Sequence, residues 1–504
     1  MTGPLRHVEV AIVGTGFAGL GVAAELQRVG IDDFVLLERA DAIGGTWRDN
    51  HYPGCACDIP SHLYSFSFAP KHDWSRAFAP WHEIREYLER FTDERNLRAK
   101  IELGQRLVEA RWHADTSRWH LRTAAGLQIV ARFFVLGAGG LSNPAIPELP
   151  GRERFGRPQF HSAQWDHEVP LDGKRVAVIG TGASAIQFVP QIQPRVAKLY
   201  LLQRTPPWII PKPDREFSSL EKRAFRWIPG WRELYRQAIY WRLEGRAIAF
   251  TDFPKLLRIA EREGLRHIAA QIADPVLRER VTPKFRAGCK RVLLSNDYYP
   301  AIAQPNVELV DTPIAALAPG VLQLEDGREL ERAALVYGTG FAVHDYLGGV
   351  RIHGEGGVEL GELWSHGAEA YLGTAIAGFP NMFMIVGPNS GLGHNSMIVM
   401  IEGQAHYAVE AIQLARERDV ALVVKPQVQR AYNEWLQGKN ATAIWASGCR
   451  SWYLDEHGRN TTIFPSFTVT FRRRTAHVRL DDFEMLTSEP RARRGFATAD
   501  SEHD

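Results

Sequence analysis

Two glycine-rich stretches, GTGFAG (14–19) and GTGASA (180–185), are the first places where this sequence could do chemistry. Gly14, Gly16 and Gly19 follow the pattern GxGxxG, while Gly180 and Gly182 are joined by Ala185 in third place. Glycines at this spacing allow a tight turn that brings backbone N–H groups and a helix N-terminus up to a pyrophosphate. The two copies differ in the charge that follows about 20 residues on. Glu38, after the first, can accept from a ribose hydroxyl but would repel a 2′-phosphate. Arg204 and Thr205, after the second, would clamp that phosphate through a charge-assisted, bidentate contact. The first site therefore suits FAD, and the second suits NADPH rather than NADH. Thr181, Ser184 and Gln187 lie in the second turn and the helix it opens, and are assigned to the NADPH site.

These turns need strands and helices to hold them. Val8–Val13 reads as a buried parallel strand, and the residues after Gly16 read as a helix. KRVAVIGTGASAIQFVPQI repeats that order, with KLYLLQRT as its second strand. The fold class expected is α/β, with two Rossmann-like dinucleotide-binding domains and a helical insertion. Residues 1–148 would form the first part of the FAD-binding domain. Residues 149–330 would form the NADPH-binding domain, with a helical segment over about 216–280. Residues 331–487 would return to the FAD-binding domain and carry the substrate-pocket loops, and the polar tail 488–504 is expected to be disordered. ARFFVLGAGG (131–140) and AALVYGTGF (333–341) each end in glycines, as a chain passing close to a cofactor would. The helical segment is Trp- and Arg-rich (RAFRWIPGWRELYRQAIYWRLEGR), and its apolar positions are assigned to core or pocket wall rather than to a membrane face.

Composition removes several classes of function. At 504 residues the chain exceeds one ordinary core. A net charge of +2 offers no concentrated basic stripe, so nucleic acid is not an expected partner. The four cysteines are too few for a disulfide framework, which points to a reducing, cytoplasmic setting. Cys55 and Cys57 are two apart, fitting neither a zinc site nor a CxxC redox pair, and are read as ordinary thiols; no metal is expected. VEVAIVGTGFAGLGVAAEL is broken by glycines and flanked by charge, so it is read as a soluble strand, turn and helix and not as an integral membrane segment.

Other stretches are more specific. GGTWRDNHYPGCACDIPSHLYSFSF (44–68), FHSAQWD (160–166), KRVLLSNDYY (290–299) and GFPNMFMIVGPNSGLGHNS (378–396) together resemble class B flavoprotein monooxygenases. The resemblance runs from residue 8 to about 475 and is nearest the Baeyer–Villiger branch, which turns ketones into esters or lactones using FAD, NADPH and O2. Of that branch's fingerprint, Phe155, His161, Trp165 and Asp166 match. Arg157 holds the place of the fingerprint glycine, and Gly156 sits one residue early. Trp165 favours the ketone branch over amine- or sulfide-oxidising relatives, the alternative on this scaffold, which carry Tyr or Phe there.

The resemblance also implies roles. Arg291 would stabilise the flavin C4a-peroxide, with Asp58 held beside it and the flavin. Lys290 would join Arg204 and Thr205 at the 2′-phosphate. Gly45, Thr46, Trp47 and Tyr64 would line the flavin, and His161 and Trp165 would couple domain movement to turnover. His394 is expected to pack or hydrogen-bond. Cyclic, aromatic, linear and steroidal ketones all stay open as substrates.

Overall fold

The computed structural model describes residues 5–449 and 451–487. Strand Leu5–Val13 is central to the first sheet, paired in parallel with Phe34–Leu37 and with Gln128–Leu136. Its Val10, Ala11 and Ile12 are fully buried, as in a parallel sheet covered on both faces. Leu107–His113 and Arg118–Thr123 extend this sheet in antiparallel fashion, and Met382–Met384 pairs in parallel with Gln128–Leu136. The second sheet has five parallel strands in the order Val307–Val310, Lys198–Leu202, Arg175–Ile179, Ala334–Tyr337, Gln159–His161.

The same turn is built twice. At Gly14 (φ +97°) a Cβ would lie 2.5 Å from the Gly137 carbonyl oxygen, and at Gly180 (φ +103°) it would lie 2.4 Å from that of Gly338. Gly137 and Gly338 end strands Gln128–Leu136 and Ala334–Tyr337, so the glycines after those strands answer a close backbone approach.

That pairing moves one expected boundary. Strand Ala334–Tyr337 lies in the second sheet, between Arg175–Ile179 and Gln159–His161. The chain rejoins the first sheet only at Arg351–His353, not at residue 331. The second turn needs Gly338 opposite Gly180, which keeps this strand with its own nucleotide unit. The tail 488–504 lies outside the described residues.

The helical segment comprises Ser219–Trp227, Trp231–Glu244, Ala247–Thr251 and Arg258–Gln271. A capping box between Ser218 and Glu221 opens the first helix. Trp231–Glu244 buries Ile239, Tyr240, Leu243 and Glu244. Its Trp231, Leu234 and Trp241, with Trp227 and Ile228 just before it, are exposed instead of filling core or pocket wall. The core-facing side is already occupied by Phe225, Ile239 and Leu243, and among the described residues nothing covers the second apolar face.

Glu244 pins that helix to the C-terminal part of the chain. Its carboxylate accepts from the Thr468 hydroxyl at 2.6 Å, Asn395 Nδ2 at 2.8 Å and the Val469 N–H at 2.9 Å, with His394 Nε2 3.5 Å away. Burial alone would raise this carboxyl, but His394, Thr468, Val469 and Asn395 outweigh it and hold it at about 2. A carboxyl lowered on folding stabilises the protein above its ordinary value of 4.5 and loses that contribution as pH falls towards 2. Glu244→Ala is expected to cost about 3 kcal/mol at neutral pH, because it strands buried donors. Urea melts over an acid series would show this, with the variant losing less than the wild type between those two pH values.

One disulfide forms, between Cys289 and Cys449, although the cysteine count pointed to an all-thiol chain. The two are 160 residues apart, and no local spacing announces the pair. Cys55 and Cys57 are free and buried. Among the described residues no helix is long and apolar enough to cross a membrane, and no cluster of side chains could hold a metal ion.

Candidate active site

Glu38, at the end of strand Phe34–Leu37, is buried beside the first glycine turn. Its Oε2 accepts from the Thr15 N–H at 3.1 Å and the Thr15 hydroxyl at 2.6 Å. Its Oε1 accepts from the Ala40 N–H at 3.0 Å and lies 2.9 Å from Arg48 Nη1. Gly45 closes over the turn: a Cβ there would come 3.1 Å from Gly16 Cα. A Cβ at Gly16 would sit 3.6 Å from Gly45 Cα, in ordinary van der Waals contact, so Gly45 packs directly against this turn. Thr46 begins a helical turn, Thr46–Asp49, and its carbonyl accepts from Asn50 Nδ2 at 3.0 Å. Trp47 Nε1 donates to the Tyr64 hydroxyl at 3.3 Å, with the two rings nearly perpendicular. A glycine turn with a fixed carboxylate beside it fits a dinucleotide bearing a free ribose diol.

The second turn is less crowded. A Cβ at Gly182 would find its nearest neighbour 4.0 Å away. The Thr181 hydroxyl donates to the Thr205 carbonyl at 3.4 Å, tying the turn to the end of strand Lys198–Leu202. Burial, and then the Arg204 guanidinium, lower the Lys290 amine. Two cations near one another repel, and a phosphate dianion between them would relieve that repulsion.

Ser184 and Gln187 also make contacts within the protein. Ser184 caps helix Ala185–Ile192 from a backbone position, and its hydroxyl neighbours Tyr52. Gln187 accepts from the Tyr52 hydroxyl at 2.9 Å and donates to the Ala56 carbonyl at 3.0 Å. Its amide is engaged with loop 52–56, so it ties the two nucleotide units together.

Asp58 and Arg291, 233 residues apart, are brought together. Arg291 donates from Nε at 2.9 Å and from Nη2 at 2.5 Å, both to Asp58 Oδ2. The Asp58 charge is the main reason the guanidinium is raised further above its ordinary range, against the effect of burial. Among the described residues Nη1 makes no hydrogen bond, and the side chain stays 29% exposed.

Two neighbours of this pair were not singled out from the sequence. Tyr453 has its phenol pushed up to about 12 by burial, with Arg291 pulling the other way. Lys212 has its amine lowered by burial and lies 3.8 Å from Asp214, with Asp58 and Cys57 close by. The signal for Lys212 was its setting between two prolines just after an apolar strand. Nothing local marks Tyr453. Burial pushes the Cys55 thiol up to about 12 and that of Cys57 higher still, so neither offers a thiolate for disulfide chemistry.

The fingerprint residues are structural in their contacts. Gly156 takes the left-handed conformation (φ +64°), so the displaced glycine still serves a turn. His161 is buried, which lowers its imidazole, and its Nδ1 accepts from the Ala163 N–H at 3.1 Å. Trp165 packs at 5.2 Å from both Phe160 and Phe188. Within 331–487, the part expected to carry the pocket loops, a cavity of about 910 Å³ is lined in part by Trp445, Cys449, Leu454 and Asn460.

A family model for pyridine nucleotide-disulphide oxidoreductases matches residues 11–221, the span of both glycine turns. A Baeyer–Villiger monooxygenase of Pseudomonas aeruginosa is 48% identical over 486 residues, covering 96% of this chain and 92% of its own. An FAD-binding monooxygenase of Aspergillus niger is 33% identical over 499 residues, covering 94% of this chain and 81% of its own. A solved structure of oxidized steroid monooxygenase bound to NADP superposes with a TM-score of 0.84 at 28% identity, covering 96% of this chain and all of that one. With the duplicated nucleotide turns and the Asp58–Arg291 pair in place, likeness over almost its whole length makes this chain a member of the Baeyer–Villiger monooxygenase family.

Proposed function

We propose that this chain inserts one oxygen atom of O2 into a ketone to give an ester or lactone, using FAD and NADPH. The observation that carries this reading is the Arg291 guanidinium, fixed on one Asp58 oxygen with its Nη1 left free. FAD reduced by NADPH supplies the activation of O2; the rest falls to the chain.

Gly14, Gly16, Gly19, Glu38, Gly45, Thr46, Trp47 and Tyr64 hold the FAD, and Gly180, Thr181, Gly182, Arg204, Thr205 and Lys290 hold NADPH. Arg204 and Lys290 grip the 2′-phosphate, which supports NADPH over NADH. Arg291 keeps negative charge stable on oxygen and then on the ketone oxygen as its carbonyl is attacked. Opposite charges about 4 Å apart gain about 4 kcal/mol at an effective dielectric of about 20. Asp58 orients Arg291 and offsets the cost of holding its charge out of water. A nucleophilic, negatively charged oxygen favours carbonyl carbons over amines and thioethers, which is why the ketone reading leads. The need for NADPH supports a cytoplasmic setting.

Incubating the FAD-loaded protein with NADPH, O2 and a panel of ketones and thioethers tests the reading. The expected result is a gain of one oxygen atom on one or more ketones. Oxygenation of thioethers alone would replace it with sulfide oxidation, and NADPH oxidation without any oxygenated product would remove oxygenation as the function.

A further inference from the structure

The second apolar face of the helical segment is the largest feature that oxygenation chemistry leaves unused. On helix Trp231–Glu244, Trp231, Leu234, Ala238 and Trp241 are spaced three, four and three apart, so they form one stripe. All four are exposed, Leu234 at 62% and Trp241 at 58%. The opposite side holds Ile239, Tyr240 and Leu243 in the core, with Glu244 anchoring it. Before this helix, the six residues RWIPGW (226–231) are all exposed, with Trp227 at 70%. A helix apolar on both sides belongs in a core or against something else.

Charge says what that something is. Residues 219–246 hold seven arginines and lysines against three glutamates, and Glu244 is buried. This short segment thus carries a larger positive excess than the +2 of the whole chain. Exposed Arg223 and Arg226 precede the tryptophans and Arg242 follows them, and the Arg226 guanidinium lies 4.9 Å from the Trp227 ring centre. Protein–protein interfaces also favour tryptophan and arginine; what points to a lipid surface is the positive excess flanking an apolar helical stripe, the composition of a helix lying in the headgroup layer of a membrane.

We propose that the RWIPGW loop and the Trp231–Trp241 stripe form a peripheral docking face for an anionic lipid surface. Tryptophan and leucine enter the headgroup boundary, and the arginines pair with lipid phosphates. This does not depend on which substrate is oxygenated.

The test uses the full-length, FAD-loaded protein and sedimentation with vesicles of phosphatidylglycerol and phosphatidylcholine, beside vesicles of phosphatidylcholine alone. Binding is expected to the anionic vesicles, and to weaken at high salt. The triple variant Trp227→Ser, Trp231→Ser, Trp241→Ser should lower the bound fraction by about tenfold or more. Arg223→Ser, Arg226→Ser, Arg242→Ser should remove the preference for anionic lipid. Flavin content and lipid-free sedimentation velocity report folding and self-association. The proposal is overturned if the wild type ignores anionic vesicles at low salt, or if the tryptophan variant binds them equally well. A lipid-free dimer that the tryptophan variant splits would also overturn it, by giving the face to a second copy of the chain.

Discussion

Arg291→Ala is expected to cut ester formation by about 10²–10³-fold, the usual cost of removing a donor aimed at developing negative charge, while NADPH is still consumed. Hydride delivery needs the two nucleotides side by side, which the glycine turns arrange without Arg291. Oxygen transfer needs a cation at the reacting oxygen, which only this guanidinium supplies in the Asp58 pair. The variant should therefore divert reduced flavin to hydrogen peroxide. Arg291→Lys should fall between, because a lysine keeps the charge but lacks the planar fork that sets two nitrogens on Asp58. Parallel measurement of NADPH loss, peroxide and ester decides the matter. Ester made at the wild-type rate by the alanine variant would take Arg291 out of the chemistry.

Arg204→Ala should raise KM for NADPH by about 10- to 100-fold, the worth of a charged hydrogen bond, and change KM for NADH little. The 2′-phosphate is the only difference between these donors, so the ratio of the two KM values isolates one contact. Lys290→Ala should act in the same direction. The double variant should lose less than the product of the two single effects, because deleting Arg204 also removes the repulsion that lowers the Lys290 amine. Equal shifts for both donors would place Arg204 away from the phosphate.

The nucleotide turns were legible because their requirements are local: glycines at set intervals, between a buried strand and a helix, with a charge one strand later. The Asp58–Arg291 pair spans 233 residues, and only family motifs around each member brought it into view. The contacts of Gln187 were hidden for a related reason. Its place on the helix suits a phosphate, the fold joins its amide to loop 52–56, and no sequence spacing records that link. Helical periodicity did reveal an apolar face on 231–244, but a helix can carry two such faces, and which of them meets the core is decided by the rest of the protein. Strand Ala334–Tyr337 is a continuous apolar run that either sheet could have taken; its partners were fixed by Gly180 needing Gly338.

The Cys289–Cys449 bond joins a residue two places before Arg291 to a residue four places before Tyr453. The backbone that carries the guanidinium is therefore tethered to the segment that carries Tyr453, and neither can shift far without the other. Thiol reductants would release that tether while leaving the two glycine turns untouched.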